Sequence, residues 1–338
     1  MKKKGNECVH ADNGMRMTMG DETIEKGKGI AGYTGNKMSN ETMSPEEKAF
    51  LEEYDITKFD RPSVAADIAI FSILRDGEQK NFRKLPKKSL KLLLIKRAGY
   101  PYKDCWALPG GFCRPDEDVY ETAKRELYEE TNVENAYLNL AGIFGDIGRD
   151  PRGWIVSNTF LALMDGEQCK LRAGTDAWEA KWFSVELEQT EKKNESDEES
   201  VRIENEYALS LSNEELDITL CAKIMECKQF KDYHETVRYE IIESNELAFD
   251  HAKIILHALL SLRKQVRNDS VVVFDLMPEA FTLTQLQNAF ELILQQKLLT
   301  ANFRRKISDY VVETDQIIEG EGHRPAKLFK RNVKAFYV

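Results

Sequence analysis

The chain has 338 residues, with 48 Lys and Arg against 58 Asp and Glu, a formal net charge of −10. Hydrophobic residues at 42% supply at least one sizeable core, while 31% charged residues and a mean hydropathy of −0.51 point to a soluble, cytoplasmic protein without a membrane-spanning run. An acidic surface excludes general nucleic-acid binding but leaves room for a local basic patch, and six scattered cysteines without CxxC pairs exclude a disulfide framework or zinc site.

Residues 1–43 are rich in Gly, Lys, Asn and Met without periodicity and read as a flexible tail. The run from Gly27 to Gly32 lacks the Gly-Lys-Ser/Thr ending and the preceding strand of a phosphate loop. Ser44-Pro45-Glu46-Glu47 is a capping box with Pro at the first helical position, opening a short helix toward Tyr54. Val64 to Leu74 and Leu92 to Ile95 are apolar runs of buried-strand length, and the basic stretch Arg75 to Lys91 between them reads as a solvated loop.

Trp106 to Val133 (WALPGGFCRPDEDVYETAKRELYEETNV) carries the chemistry. Its second half predicts a helix on which Glu126 looks across at Glu129 and Glu130, three and four residues on, where like charges repel. Val119, Ala123 and Leu127 form the opposite, core-facing stripe. A carboxylate group anchored by an apolar back is a seat for a hard divalent cation, Mg²⁺ or Mn²⁺, which takes oxygen ligands.

Strands follow at Ala136 to Phe144, Trp154 to Met164 and Ala177 to Val185. Gln189 to Glu206 is acidic and polar and reads as a solvated loop; Ile218 to Ile224 and His234 to Ile241 suggest a hairpin. Leu247 to Val266 reads as a long helix whose His251 and His257 are packed or half-exposed residues rather than metal ligands. Thr282-Leu283-Thr284-Gln285 is a second capping box, after which Leu286, Ala289, Phe290 and Ile293 step at helical spacing. Thr300 caps the next helix, with Phe303 and Ile307 inward and Arg304, Arg305 and Lys306 outward. Val311 to Ile318 and Ala326 to Arg331 flank a basic tip, and helix, turn, helix, hairpin is the order of a winged helix-turn-helix.

Two resemblances draw these elements together. Gly111, Glu117, Arg125, Glu126, Leu127, Glu129, Glu130 and Val133 stand in register with the Nudix box, G-x5-E-x7-R-E-U-x-E-E-x-G-U; only its last Gly departs, being Asn132, the next best residue for positive φ. The resemblance implies an α/β/α sandwich with a central mixed sheet over residues 44–266, with an acidic insertion near 189–206. It implies Glu126, Glu129 and Glu130 as catalytic metal ligands, Arg125 pinning the loop through Glu117, and Gly110 and Gly111 allowing backbone close to the metal–phosphate unit. Phe144 to Leu163 resembles ADP-ribose pyrophosphatases and their regulatory relatives, making Arg152 and Trp154 candidates for phosphate pairing and base stacking. The alternative places Arg152 in a turn and Trp154 in the core. Phe281 to Leu283, Asn302 to Lys306 and Gly322 to Leu328 resemble the winged-helix end of Nudix-related transcriptional regulators, here residues 267–338. There Arg304, Arg305, Lys306, Arg324 and Lys327 would meet DNA, against a plain packing module as the alternative. Glu313, Asp315, Glu319 and Glu321 dilute the local positive charge, and His323 replaces a Gly common at the wing tip.

The retained box glutamates favour a Mg²⁺-dependent hydrolase that splits ADP-ribose or a related nucleoside diphosphate. The competing reading is a regulator that senses such a metabolite, or a sugar metabolite, and binds operator DNA as a homodimer. The general base stays unassigned in either case.

Overall fold

The computed structural model describes residues 43–76, 87–134, 136–169, 171, 177–318 and 325–336. The expected N-terminal tail, Arg324 and the tip of the wing lie outside the described residues. The chain divides into two units, Met1–Asp60 and Arg61–Val338. In the first, helix α1 (Pro45–Glu53) starts at the expected capping box: Ser44 Oγ accepts from the Glu47 amide at 3.2 Å, and Glu47 Oε2 accepts from the Ser44 amide at 2.8 Å.

The second unit is built on one mixed sheet. Its elements in order are β1 (Ser63–Arg75), β2 (Lys88–Arg97), β3 (Trp106–Ala107), β4 (Gly110–Phe112), α2 (Val119–Thr131), β5 (Tyr137–Phe144), β6 (Ile155–Leu163), β7 (Ala177–Ser196), β8 (Ser200–Asn213), β9 (Ile218–Lys231), β10 (His234–Ser244), α3 (His251–Asn268), α4 (Leu283–Leu294), α5 (Thr300–Ile307), β11 (Val311–Ile318) and β12 (Ala326–Arg331). The strands run β10-β9-β8-β7-β2-β1-β6-β5, with β3 on β2 and β4 on β1; β1 and β6 are parallel and the other pairs antiparallel. Central β1 is buried on both faces, and its period of two sorts the core. Ala66, Ile68 and Ile70 meet Ala123 and Leu127 of α2, whereas Ala69, Phe71 and Ile73 join the cluster that contains α3. These two helix layers on one mixed sheet are the α/β/α sandwich of the Nudix fold.

Several boundaries differ from the sequence reading. Gln189 to Glu206 is not a loop: β7 and β8 continue through it as a hairpin, pairing Lys192 with Asn205 and Glu195 with Arg202. Its turn is held by Asp197 Oδ1, which accepts from the Glu199 and Ser200 amides at 2.8 and 2.7 Å. Most of this stretch is exposed, so no apolar alternation marked it, while backbone pairing to β8 and then β9 continues regardless of side-chain polarity. The supposed loop Arg75 to Lys91 is also shorter. β2 starts at Lys88, paired with Arg75, and Asp76 accepts from Ser89 Oγ at 2.6 Å and meets Lys91 Nζ at 2.8 Å. The hairpin expected around residues 218–241 is present and longer, as β9 and β10.

Helix α3 begins at His251, four residues later than expected, because Leu247 bridges to Trp106 and Phe249 takes a left-handed φ of 52°. Thr300 is the first residue of α5 and makes no capping bond; Leu299 precedes the helix. Leu286, Ala289, Phe290 and Ile293 of α4 and Phe303 and Ile307 of α5 are buried as expected. They join the same cluster as α3 and its sheet face, so the packing runs without a break past Val266 into the winged helix. A specific link reinforces it: Arg263 Nε on α3 donates to the Ile293 carbonyl of α4 at 2.9 Å. Among the described residues no helix is long and apolar enough to cross a membrane.

Candidate ligand pocket and DNA-binding face

Helix α2 is capped at both ends. Asp118 accepts from the Glu121 amide at 2.8 Å, with Glu121 returning the contact, and Asn132 closes the helix at φ 57° with its amide on the Tyr128 carbonyl. Asn132 therefore does what the missing glycine would have done. Arg125 joins loop to helix as expected: Nε and Nη2 reach Glu117 at 2.7 and 3.0 Å. That hydrogen bond lowers the Glu117 pKa and, with Glu126, raises that of Arg125.

The three box glutamates line one open cleft of about 270 Å³, although they do not form the tight group that helical spacing alone suggested. Arg125 Nη1 lies 2.5 Å from Glu126 and 3.5 Å from Glu129, while Glu130 is buried. In this arrangement no three acidic, His or Cys groups among the described residues converge to hold an ion. The donor set nevertheless fits a hard divalent cation. All three are carboxylate oxygens, and burial raises the Glu126 pKa, with Glu129 adding to it against the opposing pull of Arg125. The backbone of Gly111 lies against Glu126, since a Cβ there would sit 2.0 Å from Oε1. Gly110 is fixed more rigidly, because a Cβ would meet the Ala66 carbonyl oxygen at 2.3 Å across the β1–β4 pairing. Gly110→Ala is expected to destabilise the chain by about 1–3 kcal/mol through this clash, read as a lowered urea midpoint.

Guanidiniums and carboxylates line the cleft together. The described lining holds five of each: Arg97, Arg114, Arg125, Arg149 and Arg152 with Asp67, Glu126, Glu129, Glu130 and Asp150. Arg149 is gripped by Asp250 through two bonds of 2.9 and 2.7 Å. Burial pushes the Asp250 carboxyl up, but Arg149 outweighs it and the net shift is downward. Arg152 is held by Asp150 at 3.0 and 2.7 Å, with the same balance at Asp150. It lines the cleft and is also fixed in its own turn, as the alternative reading had it. Its guanidinium lies 5.1 Å from the Phe112 ring and 5.2 Å from Phe249. Arg114 is the most exposed of the five, with contacts of only 3.5 and 3.9 Å to Glu117 and Glu129.

Trp154 is neither in the core nor in the lining; it is half-exposed. The aromatic surface at the cleft comes from Phe112 and Phe249, the latter 4.7 Å from Tyr102. Sequence reasoning also missed Asp67, Arg149, Asp250 and His251. Arg149 stood inside the Phe144 to Leu163 stretch, but Asp250 lies 101 residues beyond Arg149 and nothing local announces the pairing.

On the winged helix, Arg304, Arg305 and Lys306 project from α5 into solvent beside the buried Phe303 and Ile307. Lys327 on β12 is engaged with Glu313 of β11. The chemistry available is therefore an oxygen-donor and guanidinium cleft suited to a phosphorylated ligand, and a compact cationic helix face suited to a phosphate backbone.

Comparison with known proteins places these features in a family. The NUDIX domain model matches residues 68–202, and that of the NrtR DNA-binding winged helix domain matches residues 273–330. The ADPR responsive transcriptional repressor NtrR of Acinetobacter baylyi is 30% identical over 288 residues, 84% of this chain and 88% of that protein. This chain belongs to the NrtR family. Its members join a Nudix domain to a C-terminal winged helix, as the fold here does. The crystal structure of Shewanella oneidensis NrtR has the same fold, with a TM-score of 0.51 and 24% identity over 80% of this chain and 94% of that one. Within the Nudix part alone, an ADP-ribose pyrophosphatase of Methanocaldococcus jannaschii is 42% identical over 99 residues, 29% of this NrtR-family chain and 57% of that enzyme.

Proposed function

We propose that this chain is a transcriptional regulator whose Nudix cleft binds ADP-ribose and whose winged helix binds operator DNA as a homodimer. Hydrolysis, the first expectation from the box, becomes the second reading. The observation that carries the proposal is the shared core: the arginine-lined cleft and the cationic face of α5 are attached to one packed cluster that runs through α3 and α4. The repressor that matches most of the chain is named for its response to ADPR, which supports the same ligand.

In the cleft, guanidiniums would pair with the diphosphate, and Phe112 and Phe249 would offer flat surfaces to a base or ribose. Glu126, Glu129 and Glu130 would hold Mg²⁺ or Mn²⁺, which when bound neutralises phosphoryl charge and activates water. Arg125 keeps the loop on the helix, and Gly110 and Gly111 keep the backbone close.

Full-length protein is first used to select binding duplexes from a random DNA pool, and affinity for the selected duplex is then followed by fluorescence anisotropy. Saturating ADP-ribose is expected to change that affinity about 5- to 150-fold, the usual range of allosteric coupling. An unchanged affinity would remove the sensor reading. The retained glutamates favour residual hydrolysis, tested by AMP release from ADP-ribose with Mg²⁺. Turnover that disappears in Glu129→Gln would add an enzymatic activity to the regulator.

A further inference from the structure

We propose that His251 is a ligand-contacting residue, a neutral donor whose Nε2–H meets an oxygen of the bound nucleoside diphosphate from the first turn of α3. The inference rests on the cleft being the ligand site, and it assigns a contact outside the Nudix box and the Arg152 segment. His251 lines the cleft and is only 5% exposed. The Leu108 amide donates to its Nδ1 at 2.9 Å, so that nitrogen is an acceptor and the single ring proton resides on Nε2. Burial independently lowers the imidazole pKa, against the pull of Asp67 and Asp250 and with the help of Arg149 and Arg97. The ring is a fixed neutral tautomer.

Nε2 has no hydrogen-bond partner among the described residues. His251 lines the cleft, so an oxygen acceptor entering it can take this N–H in place of solvent. Arg149 and Arg152 already have Asp250 and Asp150 as partners before any ligand arrives, whereas this N–H, without an acceptor among the described residues, gains its first on occupancy. Its position gives the contact a regulatory consequence. α3 carries His251 at one end and, through Arg263, the Ile293 carbonyl of α4 at the other. A ligand that engages His251 therefore pulls on the helix to which the winged helix is packed. A purely structural histidine would use Nδ1 alone, to hold the Leu108 turn.

The test compares wild type with His251→Asn, whose side-chain oxygen can still accept from Leu108 but which lacks the Nε2 donor. By calorimetry on the full chain, His251→Asn is expected to bind ADP-ribose at least tenfold more weakly at a near-normal melting temperature. Correspondingly more ADP-ribose would be needed to alter DNA binding. Should the variant fold poorly, ¹⁵N-histidine NMR of wild type decides: the Nε2–H resonance is expected to shift on saturation. An affinity within twofold in a folded variant, or an unmoved Nε2–H resonance in saturated wild type, overturns the proposal. ADP and inorganic pyrophosphate are run in parallel. A shift with either of them, and no binding of ADP-ribose, removes the ligand assignment and keeps His251; binding of none of the three removes both.

Discussion

Arg149→Ala is expected to destabilise the chain by about 3 kcal/mol, the low end of the range for breaking a buried ion pair. Both partners are nearly inaccessible, with side chains 5% and 9% exposed, and two hydrogen bonds join them. Removing the guanidinium leaves the Asp250 charge in place, and that stranded charge is the main source of the loss. Lys253, 3.2 Å from Asp250, retains part of the compensation, which is why the estimate sits at the low end. A urea titration reads the effect as a lowered midpoint. Adding Asp250→Asn to Arg149→Ala is expected to recover part of the loss, because the pair is coupled and the unpaired charge is gone. Losses that simply add would mean the two side chains act independently.

The same pair sets a pH dependence. Asp250 and Asp150 both have folded pKa values below the ordinary value, since their arginines outweigh burial. A depressed carboxylate pKa stabilises the fold fully above the unfolded pKa of about 3.9, and the contribution is lost as pH falls through the folded values. Wild type should therefore resist acid to a lower pH than Arg149→Ala, as followed by circular dichroism from pH 6 downward.

The second large effect is on DNA. Replacing Arg304, Arg305 and Lys306 together with Ala is expected to weaken duplex binding at least a hundredfold near physiological salt. Each phosphate contact contributes about 0.9 to the slope of log K against log salt, so three lost contacts lower its magnitude by about 2.7. All three side chains are exposed, so folding should be unaffected. Lys327 differs because Glu313 already engages it, and Lys327→Ala should change the slope by less than one contact. An unaltered slope in the triple variant would place the DNA elsewhere.

Much of the architecture was legible because it rests on local rules. Helix α2 was readable from its apolar stripe and box spacing, and Asn132 took the positive φ that its place demanded. The second capping box opened α4 where expected, since the Thr282 and Gln285 contacts depend on residues three apart. Strand β1 was legible as a long apolar run, since a strand buried on both faces needs no alternation. The β7–β8 hairpin was not, because its exposed residues record neither a core face nor a turn signal strong enough to mark a strand. Trp154 shows the limit for site residues, as chain proximity to Arg152 did not bring it into the cleft.

The sequence by itself determined the Nudix box, its cap, the order of helices and hairpin in the wing, and the outward cationic face of α5. Each follows from helical or strand periodicity and from contacts spanning a few residues, which composition at fixed spacing encodes directly. Only the tertiary structure decided that Asp250 grips Arg149, that Phe249 and His251 enter the cleft, and that α3 packs onto the winged helix. Those relations depend on which sheet face and which helix end meet across separations from 30 residues at Arg263 and Ile293 to 143 at Leu108 and His251, a geometry set by packing the whole core and written in no single stretch.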